Sequence, residues 1–177
     1  MHVRDATAHD AAACAAIYAP YVTDTAVTFE YEPPTPAEMA RRIAEAQRRH
    51  AWLVLEADEV GEGCLVVGYA YAGPYKARAA YRWSSEVSVY LAMGRHGRGG
   101  GRQLYEALFA RLAERGYRTL IAGMTLPNEA SAGLHRALGF EPVGTFRRVG
   151  WKHGEWRDVA YAELSIGPGD GPPSELR

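Results

Sequence analysis

A run of glycines between an alternating segment and a helical pattern is the part of the sequence best suited to chemistry. Five glycines fall within residues 94–101, after the alternating residues 84–93 and before a series of spaced leucines. Glycine loses more backbone freedom on folding than any other residue, so such a run needs a compensating contact. Unobstructed backbone N–H groups at a helix N-terminus bind oxygen-rich anions. The run therefore predicts a phosphate-binding loop, with a plain flexible loop as the alternative.

Two common phosphate-binding patterns do not match this loop. The P-loop requires a Gly-Lys pair followed by Ser or Thr, and no Gly-Lys pair occurs here. The dinucleotide-binding pattern Gly-x-Gly-x-x-Gly also fails, because its third glycine position holds Arg102 when counted from Gly97 and Leu104 when counted from Gly99. A nucleoside triphosphate bound by a P-loop and a Rossmann-type dinucleotide are both disfavoured.

Glu86 lies in the alternating segment that leads into the loop. Its neighbours Val87 and Val89 point to the opposite face, as the two-residue period of a strand requires. A carboxylate in such a valine-rich strand is costly to bury unless it is paired or functional. A partly buried glutamate with a raised pKa suits a general base. The alternative is a carboxylate on an edge strand that faces water.

Other residues could bind a substrate or assist the reaction. Lys76, Arg78 and Tyr81 are spaced to grip an anionic group, although a solvated basic loop explains Lys76 almost as well. His135 lies one step off the apolar stripe of a helix, where a histidine is more often structural than catalytic. Asn128 begins that helix and is expected to cap it.

The elements around these residues predict one α/β domain at residues 1–166. Leucines at i, i+4 and i+8 after the glycines indicate an amphipathic helix that ends at Gly116. Thr35, Pro36 and Glu38 supply an N-cap, an N1 proline and the acid of a capping box, ahead of a buried stripe that includes Met39. Strands are expected at residues 2–7, 51–57, 64–73, 84–93, 119–125, 141–151 and 155–166, and helices at 8–22, 35–50, from the glycine loop to 115, and 128–140.

The sequence also makes predictions for a helix end, for two connections between strands and for the C-terminal tail. The first helix is expected to stop near Pro20. Residues 58–63 should form an exposed hairpin loop, and residues 152–154 should turn the final hairpin. The glycine- and proline-rich tail at 167–177 is expected to be disordered.

Composition narrows the class of protein further. The chain has 177 residues, 47% of them hydrophobic, and a formal net charge of -1, which argues against disorder and against a general attraction to nucleic acid or anionic membrane. No apolar run suits a bilayer and residues 1–10 lack a signal-peptide pattern, so the cytoplasm is expected. Cys14 and Cys64 are expected to be small buried residues. The six histidines lack metal-ligand spacing, so no metal is predicted.

The loop and three further segments resemble a known family. The GNAT acyltransferase superfamily carries Arg/Gln-x-x-Gly-x-Gly/Ala at such a junction, where it cradles the pyrophosphate of acetyl-CoA. Residues 96–101 (HGRGGG) match at the two downstream glycines, with His96 in place of arginine or glutamine. The segments TFEYEPPTP (28–36), GPYKARAAYRWSSEVSVY (73–90) and LPNEASAGLHRALGFEPVGTFRRVGWKHGEWRDVAY (126–161) resemble the phosphinothricin N-acetyltransferase subfamily. Together the resemblance extends over residues 3–166.

This resemblance implies both a fold and an activity. The fold is α/β, with a mixed and mostly antiparallel sheet flanked by helices and a splay between the two central strands, where the pantetheine lies. The activity is transfer of acetyl from acetyl-CoA to the amino group of a small amino-acid-like substrate, of the phosphinothricin or methionine sulfoximine type, by direct attack in a ternary complex. Relatives in the subfamily are commonly dimers, which implies a homodimer here.

The resemblance also implies roles for individual residues. Glu86 is the general base, and His135 is an acid toward the CoA sulfur or a proton relay. Phe29 joins Lys76, Arg78 and Tyr81 at the acceptor site. Acetyl-CoA is expected to contact the central strand, the loop and the start of the following helix, at Val89, Tyr90, Leu91, His96, Gly97, Arg98, Gly99, Gly100, Gly101, Arg102, Asn128 and Ser131.

Two other functions stay open. The acceptor could be a polyamine, an aminoglycoside or a protein N-terminus, although Lys76 and Arg78 would repel a cationic acceptor. A non-catalytic acyl-CoA-binding module is the third hypothesis, and the presence of both Glu86 and His135 disfavours it. Neither nucleic acid nor a membrane is an expected partner.

Overall fold

Seven strands and four helices form the described part of the chain, residues 1–59, 63–167 and 171–177 of a computed structural model. The predicted hairpin loop falls mainly at residues 60–62, outside the described residues. In chain order the elements are β1 (His2–Asp5), α1 (Ala11–Asp24), α2 (Pro36–Arg49), β2 (Trp52–Glu59), β3 (Gly63–Pro74), β4 (Ser84–Leu91), α3 (Gly100–Glu114), β5 (Thr119–Thr125), α4 (Glu129–Ala137), β6 (Glu141–Lys152) and β7 (Glu155–Ser165).

All seven strands belong to one sheet, in the order β1-β2-β3-β4-β5-β7-β6. Neighbouring strands are antiparallel except for β4 and β5, which are parallel. Their pairing covers only three positions, from Ser84 with Thr119 to Glu86 with Ile121. The predicted mixed, mostly antiparallel sheet is thus confirmed, and beyond Glu86 the two central strands have no paired positions among the described residues.

Helix α3 packs on one face of the sheet. Leu104, Leu108 and Leu112 are each 0% exposed there, which confirms the predicted stripe. Full burial of a leucine contributes about 1.5–3 kcal/mol. This core therefore anchors α3 firmly, and with it the glycine loop at the N-terminus of α3.

Helices α1 and α2 cover the other face. The Thr35 hydroxyl accepts the backbone N–H of Glu38, as the predicted N-cap requires, and Met39 and Ile43 are buried. The Glu38 carboxylate forms ion pairs with Arg41 and Arg42 instead of completing a capping box. Two helices and the aromatic side chains of β2 and β3 thereby form a second core.

Two further sequence predictions about local structure are wrong. Helix α1 continues through Pro20 to Asp24, because Tyr21 and Val22 beyond the proline are buried in the second core. Cys64 is exposed near the start of β3, whereas Cys14 is buried as expected. The helix predicted to run from the glycine loop begins at Gly100, so Gly100 and Gly101 lie inside α3.

The end of the chain contacts the domain in the structure. The Trp83 indole donates a hydrogen bond to the Ser174 carbonyl over 2.8 Å, and the Arg177 backbone N–H donates to the Arg115 carbonyl over 3.0 Å. In the described parts of the chain, no helix combines the length and apolar character needed to cross a bilayer.

Candidate active site

A cleft of about 500 Å³ opens where β4 and β5 separate. The start of α3 and the side of α4 complete it, and Tyr21 and Val27 close it from the α1 side. Every predicted cofactor-binding residue lines this cleft except Arg98, which lines a smaller neighbouring cavity of about 210 Å³. The cleft therefore joins a gap between two strands to a helix N-terminus, which suits a long ligand with an anionic end.

The loop glycines have two different structural roles. Gly97 and Gly99 have φ values of +75° and +82°, in the left-handed region that favours glycine. Gly100 and Gly101 are buried in the first turn of α3, where a Cβ at position 100 would lie 2.7 Å from Cδ2 of Leu55. The first two glycines shape the turn, and the next two allow the helix to start close to the sheet.

His96 is held by a tyrosine of α1. Its Nε2 lies 2.6 Å from the hydroxyl of Tyr21, and that hydroxyl donates to the Leu91 carbonyl, also over 2.6 Å. Because the hydroxyl proton goes to the carbonyl, His96 Nε2 is the donor to the tyrosine oxygen. The histidine thus ties the loop to α1 and β4, and nothing in the sequence singles out Tyr21 from the buried residues around it.

Arg102 lines the cleft, and its guanidinium group forms hydrogen bonds within the protein. It donates to Oε1 of Glu106 over 3.1 Å and to the Ala137 carbonyl over 3.0 Å. The first contact is an exposed ion pair, which contributes at most about 1 kcal/mol. Arg102 therefore joins α3 to the end of α4, and it can turn toward an anionic ligand at low cost.

The inner end of the cleft contains His135 and Tyr105, both buried beside a small space of about 50 Å³. Nδ1 of His135 donates to the Ser131 carbonyl over 2.8 Å, and Nε2 lies 3.2 Å from the Tyr105 hydroxyl. Burial lowers the pKa of His135, so the ring is neutral and its Nε2 accepts the tyrosine proton. Tyr105 is a site residue that the sequence did not reveal, because it lies on the buried stripe of α3.

Asn128 caps α4 as predicted. Its Oδ1 accepts the backbone N–H of Ser131 over 3.1 Å, and both residues line the cleft and its inner end. The same hydrogen bond that starts the helix therefore also fixes one wall of the cleft.

Glu86 is half-buried on the face of the sheet that α1 and α2 cover. Burial raises the pKa of its carboxyl group, and the carboxylate has no hydrogen-bond or ion-pair partner among the described residues. Gly123 of β5 lies next to the carboxylate, since a Cβ there would be in van der Waals contact with Oε1 of Glu86, at 3.5 Å. Burial, and then the charge of Glu86, raise the pKa of Tyr161, which places that phenol near the carboxylate. An unpaired, partly desolvated carboxylate is what a general base requires.

The predicted acceptor residues lie in two places. Phe29 is in the connection between α1 and α2, where its ring packs on Gly150 of β6. In the loop after β3, Lys76 lies 5.1 Å from the ring centre of Tyr75 and 5.5 Å from that of Tyr81. Lys76 and Tyr81 are thus brought together, whereas exposed Arg78 only precedes the short turn at Ala79–Tyr81.

A second cavity of about 560 Å³ lies between α2 and β3. Aromatic residues form its floor, including Trp52, Tyr69 and Tyr71, and none of the predicted site residues lines it. Across the described ranges, no group of three or more His, Cys, Asp or Glu side chains could hold a metal ion. The candidate site is therefore the cleft with Glu86 near its inner end.

Comparisons with known protein families and with individual proteins point to the same family. Residues 3–160 match the family model of the acetyltransferase (GNAT) domain. The chain is 40% identical over 161 residues to the phosphinothricin N-acetyltransferase of Streptomyces viridochromogenes, which covers 91% of this chain and 85% of that protein. It is 36% identical over 169 residues to the L-methionine sulfoximine/L-methionine sulfone acetyltransferase of Pseudomonas paraeruginosa. That match covers 94% of this chain and 95% of that protein.

A solved structure extends the likeness to the fold. A GNAT superfamily phosphinothricin acetyltransferase from Sinorhizobium meliloti, in complex with AcCoA, superposes with a TM-score of 0.91 at 36% identity. The match covers 98% of this chain and 93% of that one. Sequence and fold therefore agree over almost the whole length.

Proposed function

The chain belongs to the GNAT family of acetyltransferases, and we propose that it acetylates the amino group of a small amino-acid-like acceptor of the phosphinothricin or methionine sulfoximine type. It is an acetyl-CoA-dependent N-acetyltransferase. One observation carries the proposal for the site: the unpaired carboxylate of Glu86 projects from β4 at the point where β4 and β5 separate.

The proposed reaction is a direct transfer within a ternary complex. Glu86 removes a proton from the acceptor ammonium, directly or through water, and the free amine attacks the thioester carbonyl. The new C–N bond forms as the C–S bond breaks. The proton that the amine nitrogen still carries in excess passes to the departing CoA thiolate, which becomes the free thiol, and Glu86 releases its own proton to water. Backbone N–H groups of β4 that lack a partner on β5 are suited to stabilise the oxyanion.

The CoA thiolate that leaves needs a proton or an equivalent stabilising contact. His135 is neutral, with Nδ1–H bound to the Ser131 carbonyl and Nε2 accepting from Tyr105. Because its Nε2 carries no proton, this arrangement disfavours His135 as a direct acid and favours it as the group that orients Tyr105. Burial raises the pKa of the Tyr105 phenol, so we assign Tyr105 to the thiolate as a hydrogen-bond donor, whose O–H turns from His135 to the sulfur.

The acceptor is proposed to lie between Glu86 and the loop after β3. Lys76 and Arg78 would meet its acidic groups, Tyr81 would donate a hydrogen bond, and Phe29 would cover its apolar part. The positive charge of Lys76 and Arg78 disfavours polyamines and aminoglycosides, because like charges repel at a shared site.

A panel of amines tests this assignment. Release of the CoA thiol is measured with phosphinothricin, methionine sulfoximine, a polyamine, an aminoglycoside and a peptide with a free N-terminus, all at saturating acetyl-CoA. We expect the two amino-acid-like compounds to have the highest kcat/KM. A preference for a cationic amine would overturn the proposed acceptor class, and binding of acetyl-CoA with no turnover of any amine would favour a non-catalytic module.

We also propose that the enzyme is a homodimer and that it acts in the cytoplasm. Strand β6 is at the edge of the sheet and carries exposed apolar residues, and Phe146 is 63% exposed. Such a surface is typical of a protein interface. Light scattering on the purified protein gives the mass directly, and a monomeric mass at micromolar concentration would contradict the dimer.

A further inference from the structure

The connection between α1 and α2, residues 25–35, carries one residue that lines the cleft and one that is proposed to cover the acceptor. Val27 lines the cleft and its inner end, and Phe29 is the aromatic residue assigned to the acceptor. The connection contains no helix or strand, so its position depends on contacts with its neighbours. We call residues 27–31 the acceptor loop.

Helices α1 and α2 hold the acceptor loop from one side. The Tyr18 hydroxyl lies 2.5 Å from the Thr28 hydroxyl and donates to Oε1 of Glu30 over 3.0 Å. Arg42 binds both carboxylate oxygens of Glu30, at 2.7 and 3.0 Å. A two-pronged arginine–carboxylate contact fixes orientation as well as distance, so Glu30 is held firmly next to Phe29.

The tip of the β6–β7 hairpin holds the acceptor loop from the other side. Lys152 donates from Nζ to the Thr28 carbonyl over 2.7 Å, and the Tyr31 hydroxyl donates to the Trp151 carbonyl over 2.6 Å. Just before the loop, His153 lies 3.1 Å from the Thr25 carbonyl. The hairpin therefore binds the backbone just before Phe29, at Thr28, and the side chain of Tyr31 just after it.

Lys152 is unusual among these contacts because it is a buried cation. It is 2% exposed, and burial lowers the pKa of its amine while the charge of Glu30 opposes that change. The chain has only two lysines, Lys76 and Lys152, against eighteen arginines. Burying an ammonium group without a partner is costly. The hydrogen bond to the Thr28 carbonyl offsets part of that cost and explains why Lys152 is buried at this point.

Gly150 controls how closely Phe29 can approach β6. A Cβ at position 150 would overlap the Phe29 ring, with several ring carbons closer than van der Waals contact allows. Gly150 has no positive φ, so its backbone does not require glycine. Position 150 therefore requires glycine because the ring of Phe29 occupies the space that a side chain would fill.

We propose that Gly150 and Lys152 determine acceptor binding by fixing the position of Phe29: Lys152 positions the backbone of the acceptor loop, and Gly150 provides the space that its ring occupies. This inference rests on the proposed function, in which Phe29 covers the acceptor. A methyl group at position 150 would push the ring away from β6 and toward the acceptor. Loss of the Lys152 contact would let the whole acceptor loop move.

The first test is Gly150→Ala, with Gly144→Ala as its matched control. Gly144 lies in the same strand, and a Cβ there would meet nothing within 4 Å. We expect Gly150→Ala to raise the KM for the acceptor about tenfold, and to change the KM for acetyl-CoA by less than about twofold, since tenfold corresponds to one modest contact. Gly144→Ala should leave both constants unchanged. Equal effects of the two variants would overturn the proposal.

A double-mutant cycle makes this test specific to the ring. In a Phe29→Ala background there is no ring to displace, so Gly150→Ala should have almost no further effect on acceptor KM. An additive effect in that background would mean that Gly150 acts in another way, and the proposal would fail.

Lys152→Met removes the amine but keeps an unbranched side chain of similar length. We expect faster hydrogen exchange at residues 27–31 and a raised acceptor KM, with recovery of both in Lys152→Arg, which retains a donor. Unchanged exchange in Lys152→Met would overturn the positioning role. Because exchange needs no acceptor, this result stands even if the wild-type enzyme acetylates none of the panel, an outcome that would reject the proposed function alone.

Discussion

The hydroxyl of Tyr105 and Nε2 of His135 lie 3.2 Å apart at the inner end of the cleft. Since His135 Nδ1 donates to the Ser131 carbonyl, the neutral ring has only Nε2 left to accept the tyrosine proton. Tyr105, which lies on the buried stripe of α3, thus donates a hydrogen bond to His135, the histidine that the family resemblance points to. This pair connects α3 to α4 where the CoA sulfur is proposed to lie.

Tyr105→Phe should lower kcat by about a hundredfold, the usual cost of removing one hydrogen-bond donor to a developing negative charge, while the KM for acetyl-CoA stays close to that of the wild type. The physical reason is that phenylalanine fills the same space without a hydrogen bond to offer the thiolate. The measurement is steady-state turnover with acetyl-CoA and with an acetyl thioester of a more acidic thiol.

The anion of a more acidic thiol needs less stabilisation, so the loss in Tyr105→Phe should be much smaller for that thioester. An equal loss with both thioesters would exclude the proposed contact between Tyr105 and the thiolate. His135→Gln keeps a polar side chain next to Tyr105, and it should lower kcat less than Tyr105→Phe does.

Glu86→Gln should lower kcat/KM by about a hundredfold to ten-thousandfold at neutral pH, because glutamine cannot take the ammonium proton. Only the ionised carboxylate acts as a base, and burial raises its pKa from the ordinary 4.5. The kcat/KM of the wild type should therefore decrease as the pH drops below a pKa that lies above 4.5. This decrease should be absent in Glu86→Gln.

Glu45→Gln is the matched control, since the side chain of Glu45 is 69% exposed on α2. It should leave the pH profile of kcat/KM unchanged. Turnover by Glu86→Gln equal to that of the wild type would reject Glu86 as the base.

Gly99→Ala should weaken acetyl-CoA binding, because Gly99 has a φ of +82° at the start of α3, and a left-handed conformation costs an alanine about 1–2 kcal/mol. We expect the KM for acetyl-CoA to rise about tenfold with little change in acceptor KM. Hydrogen exchange at residues 95–103 should also slow when acetyl-CoA binds the wild-type protein, and identical exchange with and without it would contradict the loop as the pyrophosphate site.

Much of the fold could be predicted because its signals are local. The stripe at Leu104, Leu108 and Leu112 and the cap at Thr35 depend on residues within a few turns of one helix. Glu86 was recognisable for a similar reason, since alternation in β4 shows which face it takes.

The rest depends on contacts between distant parts of the chain. The cleft exists because β4 and β5 pair at three positions only, and no local pattern encodes where a parallel pairing ends. Tyr21, Tyr105 and Lys152 have partners 75, 30 and 124 residues away. Helix α1 continues past Pro20 because the burial of Tyr21 and Val22 outweighs the local tendency of proline to end a helix.

Asp10 should make the stability of the protein sensitive to acid. Its carboxylate binds Arg4 through two bonds of 2.8 Å and accepts the Thr7 backbone N–H, and the hydrogen bonds from Arg4 are the main cause that lowers its pKa from 3.8 to about 2. A lowered pKa means that the native state favours the ionised carboxylate. The stabilisation is therefore complete above the unfolded value of 3.8 and is lost as the pH falls through about 2.

Asp10→Asn should accordingly lower the free energy of unfolding by about 2 kcal/mol at pH 7 and by progressively less between pH 4 and about 2, as the wild-type carboxylate is protonated. Urea unfolding at a series of pH values measures both quantities. Asp5→Asn is the control, because Asp5 pairs with Arg111 at the surface, where its side chain is 51% exposed, and such a pair contributes at most about 1 kcal/mol. If the difference between wild type and Asp10→Asn were the same at pH 7 and pH 2, the contact with Arg4 would not stabilise the native state through ionisation of Asp10.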